Sequence, residues 1–175
     1  MTTLYIITRF ITCPGAMIRA FIEQLICRTH KTAVEDNRYL RKDELCSHVE
    51  HEFMPKAGSA FEICFVPMLI QLVLAFIVAA PASFNLLYLG SFSFPTGLLD
   101  VACLWVGFSL LVNCFPSIED AMNMIDKLYH GEANIFQKII FAVGAGICYV
   151  GAYLERYCLT FLSSLVILLV CVFKV

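Results

Sequence analysis

The chain has 175 residues, of which 60% are hydrophobic and only 15% are charged. A soluble domain is usually about half apolar and about a quarter charged, so this composition indicates a membrane protein. The net charge of -2 excludes the basic field of a nucleic-acid-binding protein, and we expect no nucleic-acid partner. The nine cysteines form no CxxC pair, and we interpret them as buried thiols rather than as a disulfide framework.

The first apolar segment, residues 3–27, is interrupted by polar and charged side chains. These side chains belong to Arg9, Arg19, Glu23 and Gln24. The segment forms either a spanning helix with a polar face or an interfacial helix that lies in the plane of the headgroups. Of these arrangements we favour a helix that spans the membrane or is partly inserted in it.

The long polar loop, residues 28–60, follows this segment and carries half of the chain's basic residues. Six of the twelve Lys and Arg residues lie in it: Arg28, Lys31, Arg38, Arg41, Lys42 and Lys56. Basic residues collect in cytoplasmic loops, so we predict that this loop is cytoplasmic. It is too short for a core of its own, and we expect it to pack on the helix ends, for instance as a short hairpin.

Four further segments are apolar enough to cross a bilayer, which takes about 20 residues of helix. They are residues 61–84, 97–115, 135–154 and 157–174. Alternation across the membrane then places the C-terminus on the cytoplasmic side. The sequence therefore predicts one all-α integral membrane domain, residues 1–175, with four to five transmembrane helices in the cell membrane and the lipid bilayer as its partner.

Two charged residues of the first segment, Arg19 and Glu23, are four positions apart. On a helix they lie on one face and can form an ion pair. In the alternative arrangement both side chains point into a shared polar site. Charged groups inside a membrane segment are costly, so they face one another or a cavity.

The end of the polar loop reads His48-Val49-Glu50-His51-Glu52. Histidine and carboxylate side chains are ligands that zinc accepts. On a helix the two histidines share one face, whereas on a strand His51 shares a face with Val49 instead. Two ordinary histidines in a solvated loop remain the simpler interpretation.

The third apolar segment of the chain ends in the stretch Asn113-Cys114-Phe115-Pro116-Ser117-Ile118-Glu119-Asp120-Ala121. Pro116 cannot continue a helix, and Ser117 is a good N-cap for a new one. The helix dipole would then favour Glu119 and Asp120 in its first turn. Asp100, at the other end of this segment, is expected to lie near the outer interface.

Three features follow one another along the chain: Pro14-Gly15 with its helix, the loop that ends in the two histidines, and the stretch around Asp120. In this order they resemble the site-2-protease type of integral-membrane zinc metalloprotease. The resemblance covers roughly residues 10–125 and implies an early helix with the motif His-Glu-x-x-His. It also implies a later aspartate. It further implies that the two histidines of this motif and that aspartate hold zinc, while the glutamate of the motif activates water.

When the chain is aligned on Pro14-Gly15, the motif positions hold Arg19-Ala20-x-x-Glu23. A guanidinium stays protonated and cannot bind a metal cation, and an alanine cannot accept a proton. Asp120 remains at the position of the third ligand. The resemblance therefore implies a degenerate metalloprotease without a catalytic residue, and we expect no hydrolysis by the family mechanism.

The sequence leaves three arrangements of these groups open. Arg19 bridges Glu23 and Asp120 in a polar core without a cofactor, or the groups share no site. In the third, zinc binds to a remodelled ligand set: Glu23, His48, His51 and Asp120.

Three functions correspond to these possibilities. The first, which we favour, is a non-catalytic, metalloprotease-like protein that binds or regulates another membrane protein or a second copy of itself. The second is a metal-dependent membrane hydrolase with altered ligands. The third is a small oligomeric channel or transporter lined by Asp100, Glu23 and Arg19.

Overall fold

The structure is a computed structural model that describes residues 3–38, 48–89, 94–131 and 133–173. Its elements, in chain order, are α1 (Thr3–Ile11), α2 (Cys13–His30), β1 (Val34–Arg38), β2 (His48–His51), α3 (Ala57–Ser83) with a π-helical turn (Phe84–Tyr88), α4 (Thr96–Val112), α5 (Ile118–Tyr129), α6 (Ile135–Arg156) and α7 (Leu159–Phe173). The predicted all-α class is confirmed for these residues, and the two short strands pair as one antiparallel hairpin.

Two of the described helices are long and apolar enough to cross a membrane. They are α3 with its π-helical turn, Ala57–Leu86, and α6, Ile135–Arg156. A third span results if α1 and α2 count together, while α4 is an apolar helix of 17 residues. The predicted association with the lipid bilayer therefore rests on two to three helices.

Residues 3–27, predicted as one helix, are two helices at an angle of 88°. Pro14 explains the break, because it has no N–H for the preceding turn and its ring conflicts with the carbonyl four residues earlier. Proline is well tolerated in the first turn of a helix, and it stands there in α2. The hydroxyl of Thr12 donates to the Thr8 carbonyl at 2.8 Å and helps to end α1.

Helices α3 and α6 run in the same direction from the end of the molecule that carries the hairpin. Phe61 stacks on Phe141 with ring centroids 4.3 Å apart, and farther along the two helices Met68 contacts Cys148, sulfur to sulfur at 4.0 Å. Both helices begin next to polar segments, so their first residues mark one face of the helical bundle. We call this face the hairpin face and the other the opposite face.

Helix α4 runs antiparallel to α3 and packs closely on both α3 and α2. A Cβ on Gly107 would approach the Cβ of Ala79 to 2.6 Å. A Cβ on Gly15, in α2, would overlap the backbone of Ser109 in α4. Glycine at position 15 therefore allows the backbones of α2 and α4 to meet.

Helix α5 begins where the sequence predicts a cap. Ser117 is the N-cap, and its hydroxyl accepts a hydrogen bond from the backbone N–H of Asp120 at 3.1 Å. The helix turns its apolar side, with Met124 and Leu128, into the core between α3 and α6. This packing brings the first turn of α5 against the hairpin.

Candidate functional site: a buried charged core

Arg19 and Glu23 form an ion pair on the buried face of α2, as their four-residue spacing predicts. The guanidinium Nε donates to Glu23 Oε1 at 2.6 Å, and the two residues are 3% and 8% exposed. Arg19 Nη1 also donates to the backbone carbonyl of Cys114 at 2.6 Å. The arginine thus joins a carboxylate on its own helix to the chain just beyond the end of α4.

This ion pair lies deep in the helical bundle. The carbonyl of Gly15, one turn before Arg19, accepts a hydrogen bond from Gln71 Nε2 at 2.8 Å. Gln71 is 14 residues beyond Ala57, the first residue of α3, which corresponds to about 21 Å along the helix. Arg19 and Glu23 therefore lie well inside the helical bundle, where a lone charge is costly.

A second set of polar side chains holds the bend between α1 and α2. Ser109 Oγ accepts from the backbone N–H of Gly15 and donates to the carbonyl of Thr12, both at 2.6 Å. Asn113 Nδ2 donates to the same carbonyl at 3.1 Å. The first N–H groups of a helix have no partner within the helix. Ser109, on α4, supplies an acceptor for one of these groups in α2, the N–H of Gly15. Our sequence reasoning missed Ser109 and Gln71, although a polar side chain within an apolar run is a usable signal.

Asp120 pairs with His51, which is brought to it by the hairpin. His51 Nε2 lies 3.3 Å from Asp120 Oδ1, and the two side chains are 4% and 14% exposed. The other ring nitrogen, Nδ1, faces the Glu52 carbonyl at 2.9 Å. Because a carboxylate and a carbonyl can only accept, both ring nitrogens have an acceptor, and this arrangement favours the imidazolium form.

The pKa values of the two groups agree with this geometry. Burial lowers the pKa of His51, but the hydrogen bond and charge of Asp120 outweigh burial and raise the pKa to about 9. Burial raises the pKa of Asp120, but the hydrogen bond and charge of His51 and the Ser117 hydroxyl outweigh it, so the pKa of this carboxyl falls below its ordinary value. Ser117 Oγ donates to Asp120 Oδ2 at 2.7 Å. The pair is therefore ionised at neutral pH.

The three residues of the predicted polar core are thus divided between two ion pairs. Among the described residues, Asp120 lies within 4.0 Å of the His51 ring, while no such ion pair joins it to Arg19. Both oxygens of the Asp120 carboxylate have partners elsewhere, because Oδ1 faces the His51 ring and Oδ2 accepts from the Ser117 hydroxyl, while Nη1 of Arg19 donates to the Cys114 carbonyl. Asp120 and Arg19 still attract one another through the electrostatic field.

A further ion pair, which sequence reasoning missed, joins α1 to the end of α6. Arg9 Nη2 lies 3.1 Å from Glu155 Oε1, and the side chains are 10% and 7% exposed. Arg9 interrupts one apolar run and Glu155 lies between two others, but 146 positions separate the two residues and no local spacing relates them. Among the described residues, three basic side chains thus each face a carboxyl group in the interior, as the pairs Arg9–Glu155, Arg19–Glu23 and His51–Asp120.

Asp100 does not lie in this core. Its carboxylate accepts a hydrogen bond from Asn85 Nδ2 at 3.5 Å, near the beginning of α4. Arg19 contacts the chain at Cys114, 14 positions later, which is about 20 Å along a helix. The structure does not bring Asp100 together with Arg19 and Glu23.

The residues do not fit the zinc ion that the resemblance implies. The structure brings two of the four alternative ligands, His51 and Asp120, into contact, while the His48 side chain lies outside the described residues. Arg19, at the first ligand position, presents a cation to Glu23. Over the part of the chain that the structure describes, no group of three or more His, Cys, Asp or Glu side chains is arranged to hold a metal ion.

Comparison with family models, with curated proteins and with solved structures finds no match to this chain. The interpretation of the core therefore depends on its own residues.

Proposed function

We propose that this chain is a non-catalytic membrane protein on a metalloprotease-like arrangement of helices, and that it binds or regulates another membrane protein. The observation that carries the proposal is the position of Arg19. Its guanidinium belongs to the residue that the resemblance aligns with the first metal ligand, and it is held by Glu23 and the Cys114 carbonyl. In this proposal, the positive charge of an arginine side chain replaces that of the zinc ion that the resemblance implies.

The residues around Arg19 support the absence of hydrolysis. Ala20, at the position of the general base, is 1% exposed and has only a methyl group. Glu23, at the second ligand position, is engaged in its ion pair with Arg19. Water activation at this place would need a group that accepts a proton, and neither residue is free to do so.

The ion pair has a structural role in this proposal. Removal of one partner from a buried pair leaves an uncompensated charge and costs about 3–5 kcal/mol. Arg19 therefore fixes α2 against the chain just beyond the end of α4. A partner that binds beside α2 would recognise a rigid helix, with Phe21 and Leu25 on its exposed side.

We also propose five membrane crossings, by α2, α3, α4, α6 and α7, with the hairpin face in the cytoplasm of a cell and the C-terminus on the same side. The parallel direction of α3 and α6 supports this order, because one crossing, α4, then lies between them. Helix α5 would lie at the cytoplasmic ends of the others. The basic residues of the 28–60 loop support the orientation.

The decisive experiment rebuilds the motif with the substitutions Arg19→His, Ala20→Glu and Glu23→His. If the helices are arranged as in a metalloprotease, this triple variant binds about one zinc ion per chain, whereas the natural chain binds none. Elemental analysis after purification with added zinc measures both. The matched control adds Asp120→Asn to the triple variant, which should weaken zinc binding because the third ligand is lost. Stoichiometric zinc in the natural chain would refute the proposal.

A second experiment addresses the partner and the absence of cleavage. A photo-crosslinking residue at Leu25 should give a protein adduct of one defined mass in native membranes, and one at Val143 on α6 should not. Both positions are exposed, at 44% and 73%. Reconstitution with membrane proteins should generate no new N-termini by mass spectrometry. Cleavage that is lost in the Asp120→Asn variant would contradict a non-catalytic role.

A further inference from the structure

Helix α1 has one polar face that packs on the protein and one apolar face that does not. Its buried residues include Thr8 and Arg9, at 7% and 8% exposure. Its exposed residues are Ile6, Ile7, Phe10 and Ile11, at 38%, 51%, 61% and 47%. Their spacing of three and four positions places the exposed side chains on one side of the helix.

The contacts of α1 determine its depth in the membrane domain. Arg9 pairs with Glu155, and the Thr8 hydroxyl lies 3.7 Å from Cys158 Sγ, just past the end of α6. Glu155 is 20 residues beyond Ile135, the first residue of α6 on the hairpin face, which corresponds to about 30 Å. This equals the thickness of a hydrocarbon core, and α1 lies at the end of α6 that is away from the hairpin face.

The direction of α1 differs from that of the spanning helices. α2 runs antiparallel to α3, since Gly15 contacts Gln71 and His30 contacts Glu62. α1 makes an angle of 88° with α2, so it lies across the bundle rather than along it. α2 alone has 18 residues, or about 27 Å, and needs no extension by α1 to reach across the membrane.

The aromatic residues nearby are typical of a membrane interface. Tyr149 and Tyr153 contact one another in the last two turns of α6, and Tyr157 follows at 67% exposure. On α1, the Tyr5 ring lies 5.5 Å from the guanidinium of Arg9. Tyrosine is enriched where headgroups meet the hydrocarbon core.

We propose that α1 is an in-plane helix in the lipid interface of the opposite face, held there by the Arg9–Glu155 ion pair and covered on its apolar side by lipid. This arrangement places both charges at the edge of the hydrocarbon core rather than in its middle, where they would be most costly. The helix then contributes no membrane crossing. The inference does not depend on whether the chain is catalytic.

Tryptophan fluorescence in bilayers tests this position, because the chain has a single tryptophan, Trp105. In a Trp105→Phe background, Ile7→Trp and Ile11→Trp place one reporter on each turn of the exposed face. A third variant, Val143→Trp, places a reporter about 12 Å along α6 from its first residue, close to the middle of the bilayer. Phosphatidylcholines brominated at different depths quench each reporter. All sites are exposed apolar positions, and thermal unfolding of each variant checks that it is folded.

For an in-plane helix, the two α1 reporters are quenched to the same extent, and most strongly by bromines near the headgroups. Val143→Trp is quenched most strongly by bromines deeper in the chains. A spanning or re-entrant α1 would instead separate the depths of the two α1 reporters by about 6 Å, the rise of one turn. That result, or the absence of lipid quenching at both positions, would overturn the proposal.

Discussion

His51 and Asp120 form a contact that joins the polar hairpin to the helical bundle, with Nε2 of the imidazole 3.3 Å from Oδ1 of the carboxylate. The carboxylate belongs to the first turn of α5, whose apolar side lies in the core between α3 and α6. The contact thus connects the hairpin, which is cytoplasmic in our proposed orientation, to the packed helices of the bundle.

The first prediction is a pH dependence of stability due to this pair. The pKa of His51 rises from 6.5 to about 9 on folding, so its stabilisation is complete below 6.5 and is lost as the pH rises through 9. The pKa of Asp120 falls below 3.8, so its stabilisation is present above 3.8 and is lost in stronger acid. Thermal unfolding in detergent should therefore show the pair's full stabilisation between about pH 4 and pH 6.5, and a progressive loss of it between pH 6.5 and pH 9.

The His51→Gln variant should lose this dependence between pH 7 and pH 10. His130→Gln is the matched control, because His130 faces Asp126 at 3.5 Å on an exposed part of α5, with a side-chain exposure of 78%. Exposed ion pairs contribute little to stability. If both variants showed the same pH profile as the natural chain, the His51–Asp120 pair would not contribute as we describe.

The second prediction concerns the Arg19–Glu23 pair. Arg19→Leu or Glu23→Leu alone should destabilise the chain by about 3–5 kcal/mol, because each leaves a buried charge without its partner. The double variant should cost less than the sum of the two, and a double-mutant cycle in detergent measures the difference. Strict additivity would show that the two side chains do not interact in the folded protein.

The third prediction concerns the close approach of α2 and α4. Gly15→Ala should destabilise strongly, because the new Cβ would overlap the backbone of Ser109 and push the helices apart. Gly146→Ala is the control, since a Cβ there meets no atom within 4 Å. That substitution in a helix interior should stabilise by about 0.5–1 kcal/mol. Equal melting temperatures for the two variants would contradict the contact.

The fourth prediction concerns the anchorage of α1. Glu155→Gln removes the negative partner of Arg9 and should speed amide hydrogen exchange in residues 3–12 while exchange in α3 stays unchanged. Arg156→Gln changes the charge of the adjacent exposed residue and should leave both regions as they are. Faster exchange in both variants would indicate a general loosening of α6 instead.

The helices themselves follow from local properties of the sequence. A helix in lipid satisfies its backbone hydrogen bonds within its own segment, so apolar runs of sufficient length predict α3 and α6 with ends near the observed ones. The Arg19–Glu23 pair and the cap at Ser117 are local too, because each joins groups only four or three positions apart. Pro14 in the sequence also indicates a break in a helix. The 88° bend at this break, however, depends on Ser109 and Asn113 as well, which are far away in the sequence.

The sequence by itself therefore determined the all-α fold class, the approximate positions of the long helices and the side-chain pairs that form within one helical turn. Only the tertiary structure decided that Asp120 pairs with His51 rather than with Arg19, and that Arg9 finds Glu155 across the chain. The physical reason is the distance along the sequence over which each kind of interaction acts. Backbone hydrogen bonds and neighbouring side chains act within a few positions, whereas a buried charge takes whichever partner the packing of helices brings within about 4 Å.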